Sequence, residues 1–120
     1  MSRRRQPSPP SDEVKARFGI NLRERRRRLG ISQHELSLRA ETHMTAISTL
    51  ELGQRLPRVD TVIRIAGALE ATPDELIEGI VWTPAERVLT PGGFEAADDP
   101  DLDAEVAALR EAVLQGRRSR

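Results

Sequence analysis

The sequence contains no cysteine and no tyrosine, and Phe18, Trp82 and Phe94 are its only aromatic residues among 120. Without cysteine there is neither a disulfide framework nor a thiolate metal site, and His34 and His43 alone cannot complete a three- or four-ligand zinc site. No cofactor or metal is therefore expected. So small an aromatic supply makes any core aliphatic, which favours packed helices over a β-sandwich. No run approaches about 18 apolar residues. The basic opening MSRRRQPSPP leads into no apolar stretch, so neither a membrane span nor a signal peptide is expected, and the expected compartment is the cytoplasm. The length suits one domain with tails.

Net charge is also absent, with 19 basic residues against 19 acidic ones. The balance is uneven along the chain. Residues 1–30 carry 10 basic and 3 acidic side chains, residues 31–82 carry 4 and 8, and residues 83–120 carry 5 and 8. Screening confines each patch to a Debye length of roughly 8–10 Å, so a neutral chain still presents a positive face. Lys15 is the only lysine, and arginine is the cation that forks onto phosphate and carboxylate.

Residues 1–11 combine Arg3, Arg4 and Arg5 with Pro7, Pro9 and Pro10 and read as a disordered basic arm. A first helix is expected from about Asp12, with Phe18, Leu22 and Leu29 on its apolar face and Gly30 past its end. Arg25 interrupts that stripe, and its stem is expected along the core edge with its head in water. Ser32 and Glu35 form a capping-box pattern flanked by the staple Ile31 and Leu36, which starts a second helix running to about Ala40. After a short polar break at residues 41–43, a third helix over about 43–52 buries Ile47 and Leu50 and stops at Gly53. Val62, Ile65, Ala66 and Leu69 share one face of a fourth. Thr72, Pro73 and Glu75 give another capping box and launch a fifth helix through Leu76, Ile77 and Ile80 to about Trp82. Residues 83–100 read as a linker. A terminal helix over about 100–115 carries Leu102, Val106, Leu109 and Val113 as a narrow apolar seam, too short to stand alone in water. The expected organisation is thus an arm at 1–11, an all-α domain at 12–82, and a linker with its helix at 83–120.

Two short helices joined by a brief turn describe a helix-turn-helix. The matches at Leu22, Arg26, Gly30, Ile31, Ser32, Gln33, Leu36, Ala40, Ile47, Ser48, Leu50, Glu51, Gly53, Arg55, Pro57, Thr61, Ile65, Ala66 and Leu69, continued by Pro73, Leu76 and Ile77, are more specific. Through them, residues 16–80 resemble the phage-repressor-like family that contains Cro and the C1 repressors, often called the XRE family. Phe18, Asn21 and Leu22, with residues 43–46 and 79–82, are also similar to small actinobacterial regulators.

The resemblance implies a five-helix, lambda-repressor-like fold that binds double-stranded DNA. The third helix would enter the major groove and the second would cross the backbone. It implies base contacts from Met44, Thr45 and Thr49, with His43 at the tip, and phosphate contacts from Arg26, Ser32, Gln33 and Arg55. It also implies an ion pair between Arg26 and Glu51. Threonine and methionine methyls suit thymine methyls, and none of these residues offers a bidentate arginine, asparagine or glutamine contact to a base. Where the family commonly has glycine, this chain has Glu41, which must accept a positive φ. His43 replaces the usual serine cap.

The expected function is a sequence-specific transcriptional repressor acting as a homodimer without an evident small-molecule effector, the terminal seam of residues 83–120 either pairing with a second chain or packing on the domain. The alternatives are an antitoxin-type or phage-immunity regulator with a protein-binding tail, or a protein-interaction adaptor that binds no DNA. An enzyme is not expected, because the sequence carries no nucleophile–base set, no phosphate-cradling glycine loop and no metal cluster.

Overall fold

The computed structural model describes residues 11–85, 92–96 and, towards the carboxy terminus, 104, 105, 107–109, 111, 112, 114 and 115. The arm expected at residues 1–11 lies outside the described residues apart from Ser11, as do Leu102, Val106 and Val113 of the expected seam.

Among the described residues from 11 to 96, five helices and a two-stranded sheet follow one another as α1 (Asp12–Leu29), α2 (Gln33–Arg39), α3 (Met44–Glu51), α4 (Val59–Ala68), α5 (Pro73–Leu76), β1 (Ile80–Thr83) and β2 (Gly93–Ala96). The first helix begins where Ser11 Oγ accepts a hydrogen bond from the Val14 amide at 3.3 Å. Asp12 and Glu13 lie in its first turn and Arg26, Arg27 and Arg28 in its last, so both ends complement the helix dipole. α2 begins as expected at Ser32, whose hydroxyl accepts from the Glu35 amide at 3.0 Å. Only this half of the expected capping box forms, because the Glu35 carboxylate turns one turn ahead and accepts from Arg39 Nε at 3.1 Å instead of reaching back to Ser32.

The four longer helices all stop in the same way. A left-handed residue follows each one: Gly30 at φ 76°, Glu41 at 52°, Gly53 at 69° and Glu70 at 55°. The next amide then reaches back five residues, as in Ile31 to Arg26, Thr42 to Ser37, Gln54 to Thr49 and Ala71 to Ala66. This is the Schellman closure, which satisfies carbonyls that would otherwise lack partners. The positive φ at Glu41 is the one expected from the sequence; Glu70 is a second that it did not suggest.

Phe18 and Leu22 of α1 form the core with Leu36, Ala40, Ile47, Leu50, Ile65, Ala66, Leu69 and Leu76. These are the apolar positions that the helical spacing selects. Helices α1 and α3 approach closely because Gly19 carries no side chain: a Cβ there would lie 2.4 Å from the Leu50 carbonyl oxygen and 2.8 Å from that of Glu51.

The fifth helix is shorter than expected. Its capping box holds, with Glu75 Oε1 accepting from the Thr72 amide at 3.1 Å and the Thr72 hydroxyl at 3.0 Å, and Pro73 begins the helix. The helix nevertheless stops at Leu76, and Ile80 and Trp82 belong to a strand. Gly79 turns the chain at φ 85°, and the following Ile-Val-Trp-Thr favours an extended backbone. β1 pairs antiparallel with β2, placing Trp82 opposite Phe94. Their rings meet edge to face, with centroids 4.9 Å apart. The stretch read as a linker therefore supplies the second strand.

The described residues from 104 to 115 are helical. Leu109 is buried there against Ala16 and Ile20 of α1, with Leu52 and Ala96 beside it. Arg23 reaches Glu105 at 3.6 Å. This segment packs onto the first helix.

Candidate nucleic-acid interface

The α2–turn–α3 unit is fixed by its inner residues, and this decides what its outer face presents. Ile47 and Leu50 are buried, so the helical period turns Met44, Thr45, Ser48 and Thr49 outward, while His43 stands just before the helix in extended backbone. Met44 is half exposed and His43 and Thr45 are exposed, while Ser48 and Thr49 are partly covered. Met44, Thr45 and Thr49 thus share one face, with His43 at its amino-terminal tip. The Thr49 hydroxyl donates to the Thr45 carbonyl at 2.8 Å. Its proton is committed within the helix, leaving an acceptor and a methyl group facing out. His43 stands at the N-cap of α3 but makes no side-chain capping bond.

Beneath this face, Arg26 of α1 forks onto Glu51 of α3, Nε to Oε2 at 2.6 Å and Nη2 to Oε1 at 2.8 Å. Arg26 Nη1 donates to the Ile31 carbonyl at 3.0 Å, and Gln33 Nε2 donates to Glu51 Oε1 at 3.2 Å. One carboxylate therefore joins α1, the start of α2 and the end of α3. The Glu51 side chain is 4% exposed and that of Arg26 13%. The hydrogen bonds that Arg26 donates to the Glu51 carboxylate, opposed by burial and helped by its charge, raise the Arg26 pKa above its already high ordinary value. This guanidinium, expected both to pair with Glu51 and to meet phosphate, has all three nitrogens engaged inside the protein.

Ser32 and Gln33 open α2 beside this cluster, whereas Arg55 stands apart and exposed in the segment between α3 and α4. The Arg25 head stays partly exposed but is not free in water: Nη1 pairs with Glu75 Oε2 of α5 at 2.5 Å. Three further positions were given no structural role from the sequence. Asn21 Nδ2 donates to the carbonyls of Leu76 at 3.0 Å and Glu78 at 2.9 Å, and Arg17 Nε donates to Glu78 at 3.3 Å, pinning the end of α5 to α1. Gly19 had a legible signal in its position inside an 18-residue helix, where glycine carries an entropic cost that close packing can offset.

Among the described residues, no group of three or more His, Cys, Asp or Glu is arranged to hold a metal ion. No helix among them is long and apolar enough to cross a membrane.

Residues 22–76 match the family model described as helix-turn-helix. No curated protein matches the chain. Among solved structures, the restriction-modification controller protein C.AhdI from Aeromonas hydrophila is 32% identical at a TM-score of 0.51, covering 52% of this chain and 94% of its own. The clp gene regulator ClgR from C. glutamicum is 27% identical at 0.51, covering 62% and 92%. A hypothetical transcription factor from Neisseria, NHTF, is 25% identical at 0.52, covering 61% and 86%. With the buried Arg26–Glu51 lock beneath an outward-facing α3, these matches show that the chain belongs to the Cro/C1-type helix-turn-helix family of DNA-binding transcription regulators.

Proposed function

We propose that the protein is a sequence-specific repressor that reads the major groove with α3 and acts by occupying its site. The observation that carries this reading is the outward face of α3, where Met44, Thr45 and Thr49 stand together over a locked base. His43 completes the reading face at its tip. The face offers methyl groups and a hydroxyl acceptor, so thymine-rich half-sites and DNA shape carry the choice of sequence. Ser32 and the first amides of α2 meet one phosphate, at the positive end of a helix dipole. Gln33 has two amide N–H groups; Glu51 takes one, which aims the other at the same phosphate. Arg55 meets a second phosphate. Arg26 acts through Glu51 and not on DNA directly.

Selection of sites from random duplex, followed by a salt titration on the enriched sequence, tests this reading. Thr45→Ala and Thr49→Ala should shift base preference, whereas Gln33→Ala and Arg55→Ala should weaken all sequences alike, Arg55→Ala also lowering the salt slope by about 1. Failure to enrich any sequence, together with a flat salt dependence, would instead favour a protein-interaction adaptor.

The homodimer belongs to the same proposal. An apolar cleft of about 260 Å³ lies between Pro57 and Val62 on one side and Ile77, Val81, Trp82 and Phe94 on the other. Ile77, Val81, Trp82 and Phe94 are each 40–55% exposed, which favours a second copy covering this face. Light scattering on wild type and Trp82→Glu checks it: equal mass at all concentrations would remove the dimer from this face.

A further inference from the structure

The turn that sends α3 away from α2 is fastened by a residue belonging to neither helix. Arg64 of α4 donates from Nη1 to the Glu41 carbonyl at 3.0 Å. Its Nη2 lies 3.5 Å from Thr61 Oγ1 and 4.0 Å from Asp60 Oδ2, both roughly one turn back on the same helix. Glu41 is the left-handed residue of the turn, at φ 52°. That conformation costs any residue with a Cβ, so the turn persists only where its surroundings hold it. The amide of Thr42 contributes one bond, to Ser37 at 2.9 Å. His43, next in line, adds no side-chain cap. The guanidinium also places a cation at the carboxy-terminal end of α2, where the helix dipole favours one.

We propose that Arg64 is a positioning residue for sequence reading. By binding the Glu41 carbonyl it holds the left-handed turn and so sets the angle at which α3 is presented. The proposal rests on α3 being the helix that reads DNA. It predicts a loss of discrimination between sites, not a general loss of affinity, because Arg64 acts on the geometry of the reading helix and touches no phosphate.

The test uses full-length protein carrying Arg64→Met, which keeps the stem and drops the donors, alongside Arg64→Lys, Glu41→Gly and the Arg64→Met/Glu41→Gly double variant. Circular dichroism first establishes that each is folded at the assay temperature. Arg64→Met should lower the ratio of enriched-site to scrambled-duplex affinity about fivefold to tenfold, the scale of one hydrogen bond in a partly exposed setting. The salt slope should stay unchanged and Arg64→Lys should recover part of the loss. In the Glu41→Gly background the same substitution should matter little, because glycine adopts the left-handed turn unaided. Faster amide exchange at Thr42 in free Arg64→Met protein reads the clamp without DNA, so failure of the clamp and failure of α3 as the reading helix give different results: the first leaves exchange unchanged, the second leaves wild type enriching no sequence. The proposal is overturned if affinity falls equally on every duplex with a salt slope lower by about 1, which marks a phosphate contact. Unchanged exchange and unchanged discrimination would overturn it too.

Discussion

Glu51 accepts two hydrogen bonds from the Arg26 guanidinium, at 2.6 and 2.8 Å, and a third from Gln33 at 3.2 Å. The pair is nearly shut away from water, so its value lies in geometry more than in net energy. Glu51→Ala should cost about 3 kcal/mol in denaturant unfolding, because it leaves a buried cation without its partner. Arg26→Met with Glu51→Leu should recover most of that. A double variant as unstable as the single would mean that the loss came from packing alone.

Gly19 and Gly67 make an opposed pair of tests. At Gly19 a methyl group meets two backbone carbonyls of α3, so Gly19→Ala should destabilise by about 1–3 kcal/mol and loosen α1 from the reading helix. At Gly67, in α4, a Cβ meets nothing within 4 Å and φ is ordinary, so Gly67→Ala should stabilise by about 0.5–1 kcal/mol. Thermal melts of the two variants should move in opposite directions.

The left-handed glutamates predict the reverse preference. Glu41→Gly and Glu70→Gly each remove a Cβ from a conformation that disfavours it by about 1–2 kcal/mol, while glycine's added freedom in the unfolded chain takes back about half. Each should raise stability by up to about 1 kcal/mol, whereas Gly30→Ala should lower it. His43→Ser should supply the missing cap of α3 and add about 1 kcal/mol. Calorimetry on the four variants checks the pattern; a destabilising Glu70→Gly would contradict it.

Glu75 links α5 to pH. The Thr72 backbone N–H and then the Thr72 hydroxyl hold its carboxyl below the ordinary 4.5 against the opposing effect of burial, with weaker contributions from the charges of Arg25, which lowers it, and Asp74, which raises it. Because the folded pKa is depressed, the stabilisation is complete above pH 4.5 and is lost as pH falls through the folded value. Glu75→Gln should therefore flatten the fall in melting temperature below that pH. An acid limb of unchanged slope would assign the fall to other carboxylates.

The helices were legible because each carries its own punctuation. Ser32 and Thr72 cap, Gly30 and Gly53 stop, and the spacing of Val62, Ile65, Ala66 and Leu69 marks a buried face. The hairpin was not, because Trp82 finds Phe94 only across an intervening segment, and Ile77 and Ile80 continue a helical spacing that the turn at Gly79 breaks. Within the candidate site, the outward residues of α3 follow from period alone. The partners of polar side chains do not: Gln33 meets Glu51, Arg25 meets Glu75 and Arg64 meets the Glu41 carbonyl only after the helices have packed.

Trp82 is the only tryptophan, and the chain has no tyrosine. It sits on the hairpin, 42% exposed against Phe94, and not in the core around Phe18 and Leu22. Intrinsic fluorescence therefore follows the attachment of the hairpin, while far-ultraviolet dichroism follows the helices. The two signals report different parts of one chain, so coincident midpoints mean that hairpin and helices unfold as one unit, and an earlier indole midpoint means that the strap detaches first.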